Sequence, residues 1–170
     1  NVPSIYIQSG DELNVAVYSL EQDAATPYNI PSVIVSEQGN ILLPSIGSVP
    51  VEHKTTQQVA ELITEQLVQQ VKNPIVYVSV KNAFLTVLGE VNRPGQIRLN
   101  GPLTLIEAIG IAGDLNNNGN RKNILVIRQE NDQIKQYRID LRNNNLFDSE
   151  VYYLRRGDVV YVSPRYGRVV

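Results

Sequence analysis

The sequence predicts an α+β fold of two small domains, each with a mixed β-sheet and one short helix. Short runs rich in β-branched, aromatic and aliphatic residues recur along the 170 residues, interrupted by Gly, Pro and Asn. Only two stretches, 55–71 and 104–113, repeat apolar residues at helical spacing. Because each half of the chain holds one such helix among extended segments, we place the boundary at 81–83, which gives domains 1–82 and 83–170.

The first half begins with extended segments. Residues 11–19 alternate apolar and polar side chains, which is typical of a strand with one buried face. Residues 19–32 contain two prolines and no periodicity, so we expect a loop there. Residues 33–51 are predicted to form a hairpin that turns at Gly39, with Pro44 interrupting the returning strand.

The first helix has clear start and stop signals. Thr55 and Gln58 have capping-box spacing, in which a hydroxyl and an amide satisfy free backbone N–H groups. Asn73-Pro74 ends the helix, and the β-branched run 74–80 predicts a strand. The apolar face of the helix consists of Val59, Leu62, Ile63, Leu67 and Val71.

The second half opens with two strands and a turn. Residues 84–91 are rich in β-branched and aliphatic residues and predict a strand. Pro94 and Gly95 then stand at the two central positions expected of a type II turn, after which residues 96–99 return as a strand.

A second capping box follows, formed by Thr104 and Glu107, and it predicts a short apolar helix that ends at Gly113. Beyond the helix the chain is extended again, and a hairpin is expected around 130–133. The remaining strands are predicted at 123–129, 134–141, 149–154 and 159–164.

Composition excludes several classes of protein. A net charge of −2, without a basic stripe interleaved with aromatics, argues against nucleic-acid binding. The absence of cysteine excludes disulfides and thiolate metal sites. The most apolar run, 103–113, contains Glu107 and is too short to span a bilayer, so we expect a soluble domain. Because position 1 is not Met, we also expect a processed or truncated piece of a longer protein.

One loop has a superficial likeness to a calcium site. Asp114, Asn116, Asn118 and Gly119 match positions 1, 3, 5 and 6 of an EF-hand loop. Position 12 should be a bidentate Glu and is Leu125 instead, and the only carboxylate faces two neighbouring cations. The loop is therefore predicted to be a reversing connection, for which Asn and Asp are favoured.

No residue is assigned a catalytic, cofactor-binding or metal-binding role. The single histidine, His53, has no neighbouring cluster of acids or histidines, and no nucleophile-elbow, P-loop or zincin motif occurs. The adjacent pair Asp11-Glu12 is better explained as a turn former than as a catalytic pair, although pairing across the fold stays open. The residues alone indicate a non-enzymatic module.

Two Gly-Asp dipeptides each precede a predicted strand. Arg156-Gly157-Asp158 spells a tripeptide known from cell-adhesion ligands, and Gly10-Asp11 has no such arginine. Because the shared element is a Gly-Asp turn that starts a strand, we favour a structural role for both.

Two further sets of residues leave alternatives open. A terminal group of arginines is predicted to lie exposed to solvent at the edge of a sheet. The alternative is that these arginines contact anionic headgroups or an acidic polymer. Several tyrosines read as cross-strand packing partners, with stacking on sugars as the alternative. The arginines are Arg155, Arg156, Arg165 and Arg168, and the tyrosines are Tyr6, Tyr18, Tyr28, Tyr77, Tyr152, Tyr153 and Tyr166.

The order of motifs resembles a known family. YIQSGDELNVAVY, EQGNILLPSIGSVPV, the Thr-capped helix and NPIVYVSV resemble the polysaccharide-export domain of outer-membrane polysaccharide export proteins. VLGEVNRPGQIRL, TLIEAIGIAGD, NILVIR and LRRGDVVYVSP resemble the soluble-ligand-binding β-grasp (SLBB) domain that follows it in those proteins. The resemblance covers nearly the whole chain, and it implies that the second domain is β-grasp-like.

The resemblance implies a non-catalytic function. Members of this family look like ring-forming subunits of a channel that exports capsular or extracellular polysaccharide from Gram-negative bacteria. The resemblance implies a periplasmic location at the outer membrane, a lipid anchor and a membrane segment outside this sequence, and an inner-membrane polysaccharide co-polymerase as partner. No cofactor is implied.

The sequence departs from the family pattern at three positions. Ser9 stands where Pro is usual, His53 where Gly is common, and Asp114 where a second Gly is common. His tolerates a positive φ better than most residues, so the turn at His53 is expected to survive.

Our leading hypothesis is the periplasmic part of a homo-oligomeric export channel, and the alternative is a monomeric carbohydrate- or ligand-binding β-grasp module. The residues expected to matter most are turn formers that shape the backbone. They are Gly10, Asp11, Gly39, Gly89, Pro94, Gly95, Gly113, Gly157 and Asp158.

Overall fold

A computed structural model describes residues 4–20 and 28–166 of the chain. The chain divides into two compact units, the first spanning Ser4–Asn82 and the second beginning at Ala83. Within these described ranges, each unit has one α-helix and its own β-structure. The α+β class predicted from the sequence, with two small domains and one short helix in each, is confirmed.

The first unit has two small sheets. Strand β1 lies in the middle of a three-stranded antiparallel sheet of order β2-β1-β5, and β3 pairs with β4 in a separate two-stranded sheet. The elements are β1 Glu12–Tyr18, β2 Ile30–Ile34, β3 Asn40–Leu43, β4 Gly47–Pro50, α1 Thr56–Leu67 and β5 Ile75–Val80.

Helix α1 covers one face of the three-stranded sheet. Its capping box is formed as predicted, because the Thr55 hydroxyl accepts from the Gln58 N–H at 3.1 Å and Gln58 Oε1 accepts from the Thr55 N–H at 2.9 Å. The alternation predicted for β1 is also confirmed. The buried residues shared by helix and sheet include Leu13, Val15, Val17, Val59, Ile63, Leu67 and Val80.

The hairpin predicted over residues 33–51 is wrong. A turn does form at Gly39, where the Gly39 N–H donates to the Ser36 carbonyl, but it connects β2 to β3 in different sheets. The strand before the turn pairs with β1, and the hairpin is instead β3–β4, which reverses after Leu43. The loop predicted at 19–32 is too long at its end, because β2 begins at Ile30. Residues 21–27 of this loop lie outside the described residues.

The second unit has one five-stranded sheet of order β7-β6-β10-β8-β9. The central strands β6 and β10 are parallel, and every other pair is antiparallel. With the helix between the second and third strands, this mixed sheet is β-grasp-like. The elements are β6 Phe84–Gly89, β7 Gly95–Arg98, α2 Leu105–Ile111, β8 Gly119–Glu130, β9 Gln133–Ile139, a 3₁₀ turn Asn144–Asp148 and β10 Val159–Pro164.

Helix α2 begins and ends where the sequence predicts. The Thr104 hydroxyl accepts from the Glu107 N–H at 3.1 Å. At the other end the Asp114 N–H donates to the Ile109 carbonyl and the Gly113 N–H to the Gly110 carbonyl, which is the hydrogen-bond pair of a Schellman motif. Asp114 adopts a φ of 67°, so it accepts the left-handed conformation that Gly would favour.

Three details of the second unit differ from the sequence prediction. Residues 149–154 do not form the predicted strand. Val151 and Leu154 are both buried, although residues three apart in a strand would point to opposite faces. The segment makes only an isolated bridge, between Tyr153 and Thr104. Strand β8 begins at Gly119, within the predicted connection. Gly95 has a φ of 149° and already pairs with Val87, so it is not the third residue of a type II turn.

Candidate functional site

The two Gly-Asp dipeptides form the same turn in the two units. Gly10 and Gly157 have φ values of 86° and 83°, which only Gly adopts without strain. Asp11 Oδ2 accepts from the Gln8 N–H at 2.9 Å, and Asp158 Oδ2 accepts from the Arg155 N–H at 2.7 Å. Both carboxylates are buried, and a strand follows each of them directly.

Asp158 also holds a buried arginine that sequence reasoning missed. Arg128 Nε and Nη2 donate to the two oxygens of Asp158 at 3.0 and 2.7 Å, while the guanidinium also donates to the carbonyls of Glu150 and Tyr153. Burial lowers the pKa of Arg128, but the hydrogen bonds to Asp158 and the negative charge of Asp158 together outweigh it and leave the pKa raised. The signal was present, since Arg128 continues the buried alternation of Ile124 and Val126.

The buried pair decides how the adhesion-like tripeptide should be interpreted. An adhesion ligand would need its aspartate at the surface, whereas Asp158 is 1% exposed and bound to Arg128. Asp158 is therefore part of the core of the second unit.

The remaining turn residues lie at element ends. Gly39, Gly89 and Gly113 have φ values between 80° and 90°, and Pro94 is exposed between β6 and β7. Gly89 has an additional constraint, because a Cβ built on it would overlap the backbone carbonyl oxygen of Val162 on β10. Whether these residues matter for function stays a prediction.

The acidic and histidine side chains that the structure describes do not form a reactive cluster. His53 is exposed, has a φ of 64° and lies 3.9 Å from Glu52. Asp11 is buried in its turn, whereas its neighbour Glu12 pairs with Lys81 at 3.2 Å. Within residues 4–20 and 28–166, no group of three or more His, Asp or Glu side chains could hold a metal ion.

The oxygens of the calcium-like loop are used within the chain. Asn116 Oδ1 accepts from the Asn118 N–H at 2.8 Å, and Asp114 Oδ1 accepts from the Leu115 N–H at 2.7 Å. These bonds stabilise the local reversal, as expected of Asn and Asp in turns.

The first unit has an uncovered apolar surface on the sheet face opposite α1. Tyr18 pairs with Ile75 across β1 and β5, and the rings of Tyr18 and Tyr77 meet edge to face with centroids 5.9 Å apart. Leu20 lies beside them along a groove that Tyr18 and Ile75 also line. We call these four exposed residues the first-unit patch.

The second unit has a comparable surface on its sheet. Leu88 and Tyr161 lie side by side on the parallel strands β6 and β10, and both are partly exposed. Phe84 lies four residues before Leu88 on β6, so its side chain is on the same face of the sheet, and it is exposed to a similar extent. We call Phe84, Leu88 and Tyr161 the second-unit patch.

The other predicted tyrosines and arginines are dispersed. Tyr28 donates to Gln70 Oε1 at 2.8 Å, and Tyr152 packs between Phe147 and Tyr153. Arg155 lies 3.4 Å from Glu130. Arg165 lines a groove that neither Arg155 nor Arg156 lines, and Arg168 lies outside the described residues.

Family models match both units in the order that the fold shows. A model described as "Polysaccharide biosynthesis/export protein" matches residues 1–81, and one described as "SLBB domain" matches residues 84–162. The chain belongs to the polysaccharide export family. The resemblance drawn from the sequence motifs is confirmed.

Similar proteins carry names that agree with the family. The chain is 33% identical over 155 residues to the EPS I polysaccharide export outer membrane protein EpsA of Ralstonia solanacearum. It is 31% identical over 157 residues to the protein of the same name from Ralstonia nicotianae. Each alignment covers 88% of this chain, but the chain spans only 40% of the length of either relative.

Across the part of the chain that the structure describes, neither α1 nor α2 is long and apolar enough to cross a bilayer.

Proposed function

We propose that this chain is the periplasmic portion of an outer-membrane channel subunit that exports capsular or extracellular polysaccharide. The observation that carries the proposal is the match of both units, in order, to the export and SLBB families. Two relatives named as polysaccharide export outer membrane proteins support it. We assign 1–82 to the export domain and 83–170 to the SLBB domain.

The channel is proposed to be a ring of identical subunits. A closed ring needs two different complementary surfaces on each subunit. The first-unit patch and the second-unit patch are candidates, because each exposes aromatic and aliphatic side chains on an uncovered sheet face. In such a ring the polymer passes through a hydrated lumen without any bond being made or broken.

The proposal includes partners and parts beyond this sequence. We propose a lipid anchor and membrane segment in the full-length protein, a Gram-negative host, and an inner-membrane polysaccharide co-polymerase that delivers the polymer. The turn-forming residues named above would act by shaping the backbone of both units.

The proposal is tested in the organism and in the purified full-length protein. Deleting the gene should abolish extracellular polysaccharide while leaving cell-associated polymer, and restoring it should recover export. Native mass spectrometry of the detergent-solubilised protein should give one closed oligomer. Unchanged export in the deletion strain would refute the proposal.

The alternative, a monomeric carbohydrate- or ligand-binding β-grasp module, is favoured by the partly exposed ring of Tyr161 on the sheet of the second unit, since aromatic faces stack on sugars. The same mass spectra separate the two. A monomer that retains a defined neutral oligosaccharide would support the module, and a closed oligomer would support the channel.

A further inference from the structure

The second unit contains a polar groove that the proposed assembly does not explain. It has a volume of about 610 Å³, within the range of about 300–1,000 Å³ typical of ligand sites. Four of its lining residues are cations and none is an acid. We call this surface the basic groove; its cations are Arg121, Lys122, Arg142 and Arg165.

Backbone hydrogen bonds bring three distant segments together at this groove. The Leu141 N–H donates to the Arg121 carbonyl at 2.8 Å, which places the chain after β9 beside the start of β8. The Arg165 N–H donates to the Asn118 carbonyl at 2.7 Å, which places the end of β10 beside the same loop. The groove is therefore built by the fold and not by one flexible segment.

Part of the positive charge in the groove is neutralised within the chain. Arg142 Nη2 lies 3.0 Å from Asp140 Oδ2 and its Nε donates to the other oxygen, so this pair is bidentate. The hydrogen bond from the Arg142 side chain is the main reason that the pKa of Asp140 is lowered. Arg121 is held more loosely, with Asp114 3.7 Å away.

The other two cations are matched less closely by acids, although the charge of Lys122, after the bonds from Arg142, also lowers the pKa of Asp140. Among the described residues, neither Lys122 nor Arg165 forms an ion pair within 4 Å. Arg165 is exposed, and its guanidinium has the fork geometry that binds a carboxylate through two hydrogen bonds. The groove thus favours an anionic group.

Amides and an aromatic ring lie next to these charges. Asn116 Nδ2 donates to Glu90 and Asn120 Oδ1 accepts from the Lys122 N–H, which orients both side chains. Amides both donate and accept, so they can pair with sugar hydroxyls. A smaller adjoining groove of about 190 Å³ shares Arg165 and adds the exposed ring of Tyr166 and the carboxylate of Glu90, to which Asn116 donates.

We propose that the basic groove binds a carboxylate-bearing segment of the exported polysaccharide. Arg165 and Lys122 bind the carboxylate, Arg121 contributes through its loosely held guanidinium, and the asparagine amides bind hydroxyls. The identification of the ligand as a saccharide rests on the proposed function, whereas the negative charge of the ligand is inferred from the cations that line the groove.

The test uses the purified 170-residue chain and two probes of equal length, hexagalacturonate and neutral maltohexaose. Titration by NMR in 50 mM NaCl should show hexagalacturonate shifting the amides of 115–122, 142 and 165, and maltohexaose leaving them unchanged. Raising NaCl to 500 mM should weaken binding at least 10-fold, because exposed charges are screened.

Matched variants separate the groove from overall charge. The triple variant Arg121→Gln/Lys122→Gln/Arg165→Gln should weaken hexagalacturonate binding at least 10-fold. The control Lys72→Gln/Arg98→Gln/Arg138→Gln removes the same charge from exposed residues outside the groove, and should change binding less than 2-fold. Equal losses in the two variants, or equal binding of the two probes, would overturn the proposal.

Two further results are also decisive. If inorganic pyrophosphate binds the groove as tightly as hexagalacturonate, the site recognises phosphate and the saccharide assignment falls. If the deletion strain loses export but the chain binds no hexagalacturonate, this inference falls while the proposed function stands. If the chain binds hexagalacturonate but deletion of its gene leaves export intact, the proposed function is refuted. The exported polymer is then also excluded as the ligand of the groove.

Discussion

Gly89 is the residue at which backbone conformation and packing coincide. Its φ of 90° and the nearby Val162 carbonyl both exclude a side chain. We expect Gly89→Ala to lower the free energy of unfolding of the second unit by about 2–4 kcal/mol, since left-handed strain alone costs about 1–2 kcal/mol. Amide hydrogen exchange in β6 and β10 measures the loss.

Gly157→Ala is the matched control for Gly89→Ala. Gly157 has a similar φ of 83°, but a Cβ there meets nothing within 4 Å. Its substitution should cost only the strain, about 1–2 kcal/mol. Equal losses at both positions would show that contact with β10 plays no part.

Arg128 is the residue whose charge matters most to the core. Arg128→Met leaves Asp158 buried without its partner, and should destabilise the second unit by about 3–5 kcal/mol. Arg128→Lys keeps the charge but loses the fork, so its loss should be smaller. Urea unfolding followed by hydrogen exchange in β8 and β10 measures both.

The control for Arg128 is Arg138→Met. Arg138 is exposed on β9, where loss of one charge should change stability by less than about 0.5 kcal/mol. If Arg128→Met were as mild as Arg138→Met, the buried pair would not stabilise the fold.

At the scale of elements, local signals predicted the start of both helices and the end of α2, whereas α1 ends at Leu67, before the stop predicted at Asn73-Pro74. Both capping boxes and the Schellman end of α2 involve residues within five positions of one another, so sequence spacing is enough to find them. The hairpin at 130–133 is confirmed for the same reason, because β8 and β9 meet across Asn131 and Asp132 at positive φ.

Pairing between distant strands could not be predicted in the same way. Strand β2 pairs with β1 through a long connection, and the turn at Gly39 gave a misleading local signal for pairing with β3. At 149–154 apolar residues suggested a strand, yet the Tyr152 carbonyl accepts from Leu105 and the Leu154 N–H donates to Leu103 instead. Tertiary contacts therefore overrode local propensity.

The capping box of α1 allows a sharp test at this scale. Thr55→Ala removes the hydroxyl that accepts from Gln58, and should cost about 1 kcal/mol. Thr56→Ala, one position later in the helix, removes a hydroxyl with no hydrogen bond among the described residues and should be nearly neutral. Chemical denaturation that detects no difference between the two would contradict a role for the cap.

At the scale of the whole molecule, sequence order predicted the family but not the basic groove. Each family motif is a continuous run of residues, so the sequence alone shows the order in which the motifs follow one another. The groove combines residues near 120, 142 and 165, which meet only after β8 has paired with both β9 and β10. The terminal arginines form a charge bias in the sequence, but of the three that the structure describes only Arg165 lines the groove.

The first-unit patch provides the last prediction, which concerns assembly. Tyr18 and Tyr77 are exposed on an uncovered sheet face, so replacing them should hardly affect the core. We expect Tyr18→Ser/Tyr77→Ser in the full-length protein to lower the stability of the first unit by no more than about 1 kcal/mol, because only the ring pair is lost.

The same double variant should weaken a ring that uses this patch. Aromatic residues near the centre of an interface contribute about 2 kcal/mol or more each, so the closed oligomer should dissociate at subunit concentrations at least 10-fold higher. Ile134→Ser is the control, because Ile134 is 72% exposed at the β8–β9 hairpin, outside both patches. An unchanged oligomer in the tyrosine variant would exclude this patch from the interface, since the variant removes both of its aromatic rings.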